Sequence, residues 1–270
     1  EYLIKEFADD SGHTAAEFYT NRTVVKLMTM IMNPKPGESV YDPTCGSGGL
    51  LLNCALHLKE EGKEYRTLKL YGQEINLITS AIARMNMFMH GIEEFSIVRG
   101  DTLANPAFLH NDELKKFNVI LANPPFGTKK GGGRPTRDDF TFPTSNKQLA
   151  FLQHIYRNLK PGGRGAVVLP DNVLFEDNTG QEIRTDLMDK CNLHTILRLP
   201  TGIFYAQGVK TNVLFFQRGQ TDKGNTKGVW IYDLRTNMPS FGKRTPFTLS
   251  ALQPFIDAYG SDPNGGSPRT

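Results

Sequence analysis

What most constrains this chain is a repeated unit: a short apolar segment, a turn marked by Gly, Pro or an acid, then a helical stretch. "SVYDP" (39–43), "LKLYGQEI" (68–75), "FSIVRGD" (95–101) and "FNVILANPP" (117–125) are four such segments. Helical stretches follow the first two, over "TCGSGGLLLNCALHLKEEG" with Gly62 as its C-cap and over 76–90. Strands spaced by helices of this length build βαβ units and a parallel sheet. The pattern continues with a helix at 146–159, a "KPGG" stop, a strand at 164–170, a helix around 180–190, and strands at 194–200 and 211–218. A late strand, 228–234, is an extension. "NRTVVKLMTMIMN" (21–33), apolar at 24, 25, 27, 28, 30 and 31, reads as a helix ahead of the first strand. The right-handed crossover rule turns this order into an α/β fold: seven strands in a mostly parallel, doubly wound sheet. Ligands of such sheets bind beyond the carboxyl ends of the strands, and every unusual motif lies there.

The length of 270 residues gives ample core for one large domain or two small ones. A formal net charge of +3 permits a nucleic-acid partner without requiring one. Cys45, Cys54 and Cys191 have no framework spacing and read as free thiols in a reducing, cytoplasmic compartment. No run of about 18 apolar residues occurs, so no membrane span is expected. The start at Glu1 and the ending "SDPNGGSPRT" suggest a piece of a longer protein: a catalytic domain over 1–260 and a tail over 261–270. The long loop 127–145, "GTKKGGGRPTRDDFTFPTS", carries Lys129, Lys130, Arg134 and Arg137 against Asp138 and Asp139, and reads as flexible and basic.

"DPTCGSGG" (42–49) leaves a strand through a glycine-rich turn into a helix. Gly46 and Gly48 let a ligand approach the backbone, and the helix start offers free N–H groups. Leu51 stands where a dinucleotide fingerprint needs its third glycine, and no Lys-Ser/Thr closes a P-loop. Asp42 would repel a pyrophosphate but accept from a cationic amine, which favours a cofactor with an amino-acid portion. Taken singly, the motif also suits a tight turn with no ligand. Glu74 can take both hydroxyls of a ribose, as the acid of nucleotide-binding βαβ units does. Asp101 could accept from an adenine amino group. Three acids at three successive strand ends argue for one site; a metal is the rival, but they lack compact ligand spacing.

"NPPF" (123–126) is an odd way to leave a strand. Neither Pro124 nor Pro125 can donate to a ladder. The prolines hold the backbone rigid, so the side-chain carbonyl of Asn123 and the main-chain carbonyl of Pro124 can converge on an exocyclic –NH2. As that nitrogen attacks an electrophilic methyl, positive charge develops on it, and fixed acceptors stabilise the transition state more than the ground state. Phe126 offers an exposed face to a base, a contact worth roughly 1–3 kcal/mol. Cys45 has no His nearby in sequence and reads as packing; no Ser/His/Asp set or metal motif is present.

"DPTCGSGG", "GQEIN", "GD" and "NPPF", in this order, resemble the S-adenosylmethionine-dependent amino-methyltransferases of DNA, and "AEFYTNRTVVKLM" (16–28) looks like the cofactor segment that the γ-type order places first. "LKPGGRGAVVLPDNVLF", "LPTGIFYAQGVKTNVLFF" and "IYDLRTNMPSFGKRTPFT" make the likeness more specific, to the modification subunit of type I restriction–modification systems. The resemblance runs from about residue 16 to 250 and implies a Rossmann-like fold and transfer of a methyl to adenine N6 in DNA. Implied partners are duplex DNA, a specificity subunit and a restriction subunit. Carried onto this chain, the pattern gives Tyr19, Thr20, Asp42, Thr44, Gly46 and Gly48 to the methionine side of the cofactor, Glu74 to its ribose and Asp101 to its adenine. It gives Asn123 and Pro124 to the target amine, Phe126 to the flipped base, and Asn146 to Leu149 to the neighbourhood of cofactor or base. The basic loop would close on DNA phosphates. Two other readings stay open: methylation of RNA bases or of a glutamine amide, and a cofactor-binding scaffold without activity.

Overall fold

The computed structural model describes residues 20–126, 137–204, 209–236, 238–239, 241–242 and 245–267. Tyr19, the loop residues Lys129, Lys130 and Arg134, and positions 206–208 lie outside the described residues.

Helix α1 (Arg22–Met32) precedes β1 (Ser39–Asp42), α2 (Gly49–Glu60), β2 (Lys69–Glu74), α3 (Leu77–Met89) and β3 (Phe95–Arg99). A small hairpin, β4 (Leu109–His110) and β5 (Glu113–Leu114), turns on Asn111 and Asp112, both at positive φ. Next come β6 (Phe117–Ala122), α4 (Lys147–Arg157), β7 (Leu159–Pro170), α5 (Asn172–Phe175) and α6 (Thr179–Lys190). The chain then runs through β8 (Cys191–Arg198), β9 (Thr211–Arg218), β10 (Trp230–Asp233) and α7 (Gln253–Tyr259). The main sheet has the order β10-β8-β9-β7-β6-β1-β2-β3. Its pairs are parallel except around β9, which runs antiparallel to both β7 and β8.

All seven expected strands are in this sheet. The late extension joins them as an eighth, parallel to β8, so the sheet is one strand wider than seven. The "KPGG" stop also differs. These residues belong to β7 as a bulge: Phe117 pairs with Leu159, yet Val119 pairs with Arg164. Gly163 lies so close to β6 that an added Cβ would meet the carbonyl oxygens of Lys160 and Phe117 at 2.8 and 3.0 Å.

Helices cover both faces, which is why the central strands are apolar on both sides rather than alternating with polar residues. On β6, Val119 and Leu121 face the cluster built from α1, α2, α3 and α7, while Ile120 and Ala122 face the cluster under α4 and α6. Arg164 on β7, almost buried, ties the first of these layers to the sheet. It donates to the carbonyls of Met32 (2.6 Å) and Asn33 (2.9 Å) at the end of α1, and to both oxygens of Glu38 (2.9 and 2.8 Å). Burial pushes the Glu38 carboxyl up, but the Arg164 bonds and charge outweigh it and leave it below the ordinary carboxylate value.

Candidate active site

The carboxyl rim of the sheet gathers two carboxylates around one turn. Asp42 ends β1 and Glu74 ends β2, 1% and 4% exposed. Cys45 N–H donates to Gln73 O at 3.0 Å, docking the turn on β2. Gly46 N–H then reaches Glu74 Oε2 at 3.0 Å, while Asn76 N–H bonds Oε1 at 2.8 Å. Asp42 Oδ1 accepts from Thr44 N–H at 3.0 Å and from the Thr44 hydroxyl at 3.4 Å. Gly48, at φ 81°, caps α2, and a Cβ there would stand 3.0 Å from Met87 Cε. The left-handed conformation therefore calls for glycine, and Met87 would have to shift to admit a side chain.

Burial pushes the Asp42 carboxyl up to about 7, and the charge of Glu74 adds to this against the lowering bond from Thr44. Glu74 is raised by burial too. Neither makes an ion pair among the described residues; their partners are N–H and O–H groups. Two buried acids without a cation suit a ligand that brings an ammonium and hydroxyls. Cys45 does not serve as a nucleophile. It is buried beneath Gly72, where an added Cβ would sit 2.8 Å from its Sγ, and burial pushes its thiol well above the ordinary value.

Asp101 stands apart from this pair. It lies just past β3, is exposed, and accepts from Leu103 N–H at 2.9 Å and Ala104 N–H at 3.4 Å in its own turn. The Thr102 hydroxyl links that turn to the glycine turn by donating to Pro43 O at 2.7 Å. Between the two, Ile75 is 57% exposed and offers an apolar face to a flat ring. Its one signal in the sequence is an apolar side chain directly after a rim acid.

Strand β6 ends at Ala122, so Asn123, Pro124 and Pro125 lie outside the ladder, as prolines require. Asn123 Nδ2 donates to Thr20 Oγ1 at 2.9 Å, joining residues far apart in sequence. Its Oδ1 is buried and has no hydrogen-bond partner among the described residues. Pro125 O accepts from Gln148 Nε2 at 2.7 Å. Gln148 is held in turn by the first turn of α4, where Asn146 Oδ1 caps the N–H groups of Gln148 (3.0 Å) and Leu149 (3.2 Å). This places the 146–149 segment against the "NPPF" turn.

Phe126 is half-buried rather than freely exposed. Phe204 stands edge-on to it, with ring centroids 5.7 Å apart at 82°. Phe204 was missed in the sequence, although "LPTGIF" (199–204) leaves β8 through Pro, Gly and Phe much as "NPPFG" leaves β6. Asn21 Nδ2, beside Thr20, donates to Ile203 O at 3.3 Å, so the segment before α1 lies between the two strand exits.

The long loop divides. Residues 127–136 lie outside the described residues, but 137–145 are fastened to the fold. Arg137 grips Asp139 through two bonds (2.8 and 2.6 Å) and donates to Thr102 O at 3.0 Å. It also contacts His154 Nδ1 at 3.1 Å. Burial, then the Arg137 charge, push His154 down to about 3, so it stays neutral and accepts this bond. Arg137 is therefore used inside the protein and is not a free cation for phosphates, which corrects the expectation from sequence. Among the described residues no cluster of His, Cys, Asp or Glu could hold a metal ion, and no helix is long and apolar enough to cross a membrane.

Residues 1–267 match the N-6 DNA methylase family. The type I restriction enzyme EcoKI methylase subunit of Escherichia coli K12 is 47% identical over the whole chain. That alignment covers 54% of the relative, so the chain spans about half the length of the curated relatives it matches. The crystal structure of the EcoKI M protein superposes with a TM-score of 0.86 at 48% identity, covering 94% of this chain and 56% of that one. A protein from Listeria monocytogenes assigned to the class I S-adenosylmethionine-dependent methyltransferases shares the fold, with a TM-score of 0.61 at 19% identity over 78% of this chain and 62% of that one.

Proposed function

The chain belongs to the N-6 DNA methylase family, and on that premise we propose that it transfers a methyl group from S-adenosylmethionine to the N6 amine of a flipped adenine in DNA. We place it as the catalytic domain of a type I modification subunit that works with a specificity subunit and a restriction subunit, in the cytoplasm. The observation that carries the reading is the buried, unpartnered Oδ1 of Asn123 at the end of β6. An orphaned amide oxygen is costly unless a donor arrives, and a base amine is such a donor.

The residues fit the cofactor. When bound, it supplies an electrophilic methyl on a sulfonium and departs as a neutral thioether. Asp42 would hold its ammonium, with Thr20, Thr44 and the Gly46–Gly48 backbone around the amino-acid portion. Tyr19 belongs to the same set in this proposal. Glu74 would take the ribose hydroxyls, and Asp101 with Ile75 would hold the adenine. At the target, Asn123 Oδ1 and the Pro124 carbonyl accept from N6 and stabilise the charge that develops as its lone pair attacks. The displaced N6 proton then leaves without a dedicated base. Phe126 and Phe204 receive the flipped ring, since N6 is unreachable within the stack.

The test is labelled-methyl transfer to DNA, RNA and protein by the full-length protein, with nucleoside analysis of the product. Wild type should yield N6-methyladenine in DNA. Asn123→Ala should lose transfer by on the order of a thousandfold while still binding cofactor. Near-normal transfer by that variant would sink the proposed chemistry.

A further inference from the structure

Three segments that carry the family likeness, "LPDNVLF", "KTNVLFF" and "YDLRTNM", have no part in the site above, yet the structure brings them to one point on the same rim. Asp171 follows β7, Asn212 is the second residue of β9 and Arg235 follows β10. The Arg235 guanidinium bonds both Asp171 oxygens, at 2.9 and 2.7 Å, and Asn212 Oδ1 at 3.2 Å. Asn212 Nδ2 donates to Asp171 Oδ1 at 2.8 Å, so the carboxylate is held from two sides. The remaining guanidinium bonds go to two backbone carbonyls, Leu199 O at 3.2 Å and Thr211 O at 2.9 Å.

Those carbonyls are the two feet of the segment 199–211, and Leu199 N–H also donates to Thr211 O at 3.0 Å. One planar cation thus closes the neck of the segment that carries Phe204. Lysine, a single point charge, could not span both carbonyls and a carboxylate. We propose that Arg235 is a positioning residue for the target base: held by Asp171 and Asn212, it fixes the neck of 199–211 and thereby where Phe204 stands against Phe126. It touches neither cofactor nor base. The idea rests on the base-methylating reading above.

The test uses the full-length protein in the assembly in which wild type methylates DNA. Arg235→Met should lower methyl transfer at saturating cofactor by on the order of tenfold, the effect of a displaced positioning group. Cofactor Kd should stay within about twofold, because independent sites do not couple. Fluorescence of 2-aminopurine at the target position should report less base extrusion. Phe204→Leu should act alike, and Arg235→Met combined with Phe204→Leu should be little worse than the poorer single variant. Multiplied effects in the double variant, or cofactor affinity falling in step with transfer, would overturn the proposal and leave Arg235 as a brace of the fold. Asp171→Asn, which keeps the shape, tests the same contact with a smaller loss should Arg235→Met fail to fold. Wild type without transfer to DNA would defeat the base reading itself; normal transfer by folded Arg235→Met or Asp171→Asn would defeat only this one.

Discussion

Burial and Glu74 both oppose the charge of Asp42 and raise its carboxyl to about 7, so the turn holds it partly protonated near neutrality. A ligand ammonium reverses that preference, so binding requires the ionised form. Cofactor affinity should therefore weaken as pH falls below about 7, the value to which the buried carboxyl is raised. Titration calorimetry across pH 6 to about 8 checks this, and Asp42→Asn should bind weakly with no such slope. A flat profile for the wild type would refute the assignment of Asp42 to the ammonium. The sign for the ligand-free fold is opposite. A raised carboxyl is easier to bury protonated, so its cost to stability is absent below the unfolded value of 3.8 and complete above about 7. Without cofactor the wild type should then gain thermal stability relative to Asp42→Asn as pH drops through that window, while His154, held neutral in the fold, contributes the opposite trend to both proteins.

At the scale of elements, Arg164 joins the end of α1 to β7 through Met32, Asn33 and Glu38. Arg164→Met would leave a half-buried carboxylate and two carbonyls without their donor and should cost about 3 kcal/mol. Glu38→Gln should cost less, since the amide oxygen still accepts. Denaturant midpoints measure both, and an unchanged midpoint for Arg164→Met would contradict the tie. The strands and helices were legible because apolar runs and glycine stops repeat at element length. The rim acids and "NPPF" were legible because each breaks the rule of its strand. Arg164 and Arg235 were not, since a cation's partners on other elements are set by tertiary register. Arg137 misled for the same reason: in sequence it belongs to a basic run, yet Asp139, Thr102 O and His154 enclose it. The "KPGG" bulge hid behind composition that ordinarily marks a loop, and Phe204 behind the distance separating it from Phe126.

For the whole molecule, the sheet divides its work on either side of the β1–β6 seam. Strands β1 and β2 end in Asp42 and Glu74 and β3 runs out to Asp101, while β6 and β8 run out to Asn123 and Phe204. The Thr20–Asn123 bond ties the segment before α1 to the end of β6. Saturating cofactor should therefore slow amide hydrogen exchange at 42–48, 74–76 and 101–104, with a smaller effect at 123–126. It should leave β10 and the outer part of β8 unchanged; equal protection across the sheet would argue for a global rather than a rim-local response.

The reversed strand β9 has a consequence for how such a chain can diverge. A segment linking parallel strands touches the working rim at one end and must travel the height of the sheet before re-entering. Because β9 runs backwards beside β8, the segment 199–211 leaves and returns on the same side. It can be exchanged like a cassette between two fixed splice points while the rest of the chain keeps its register.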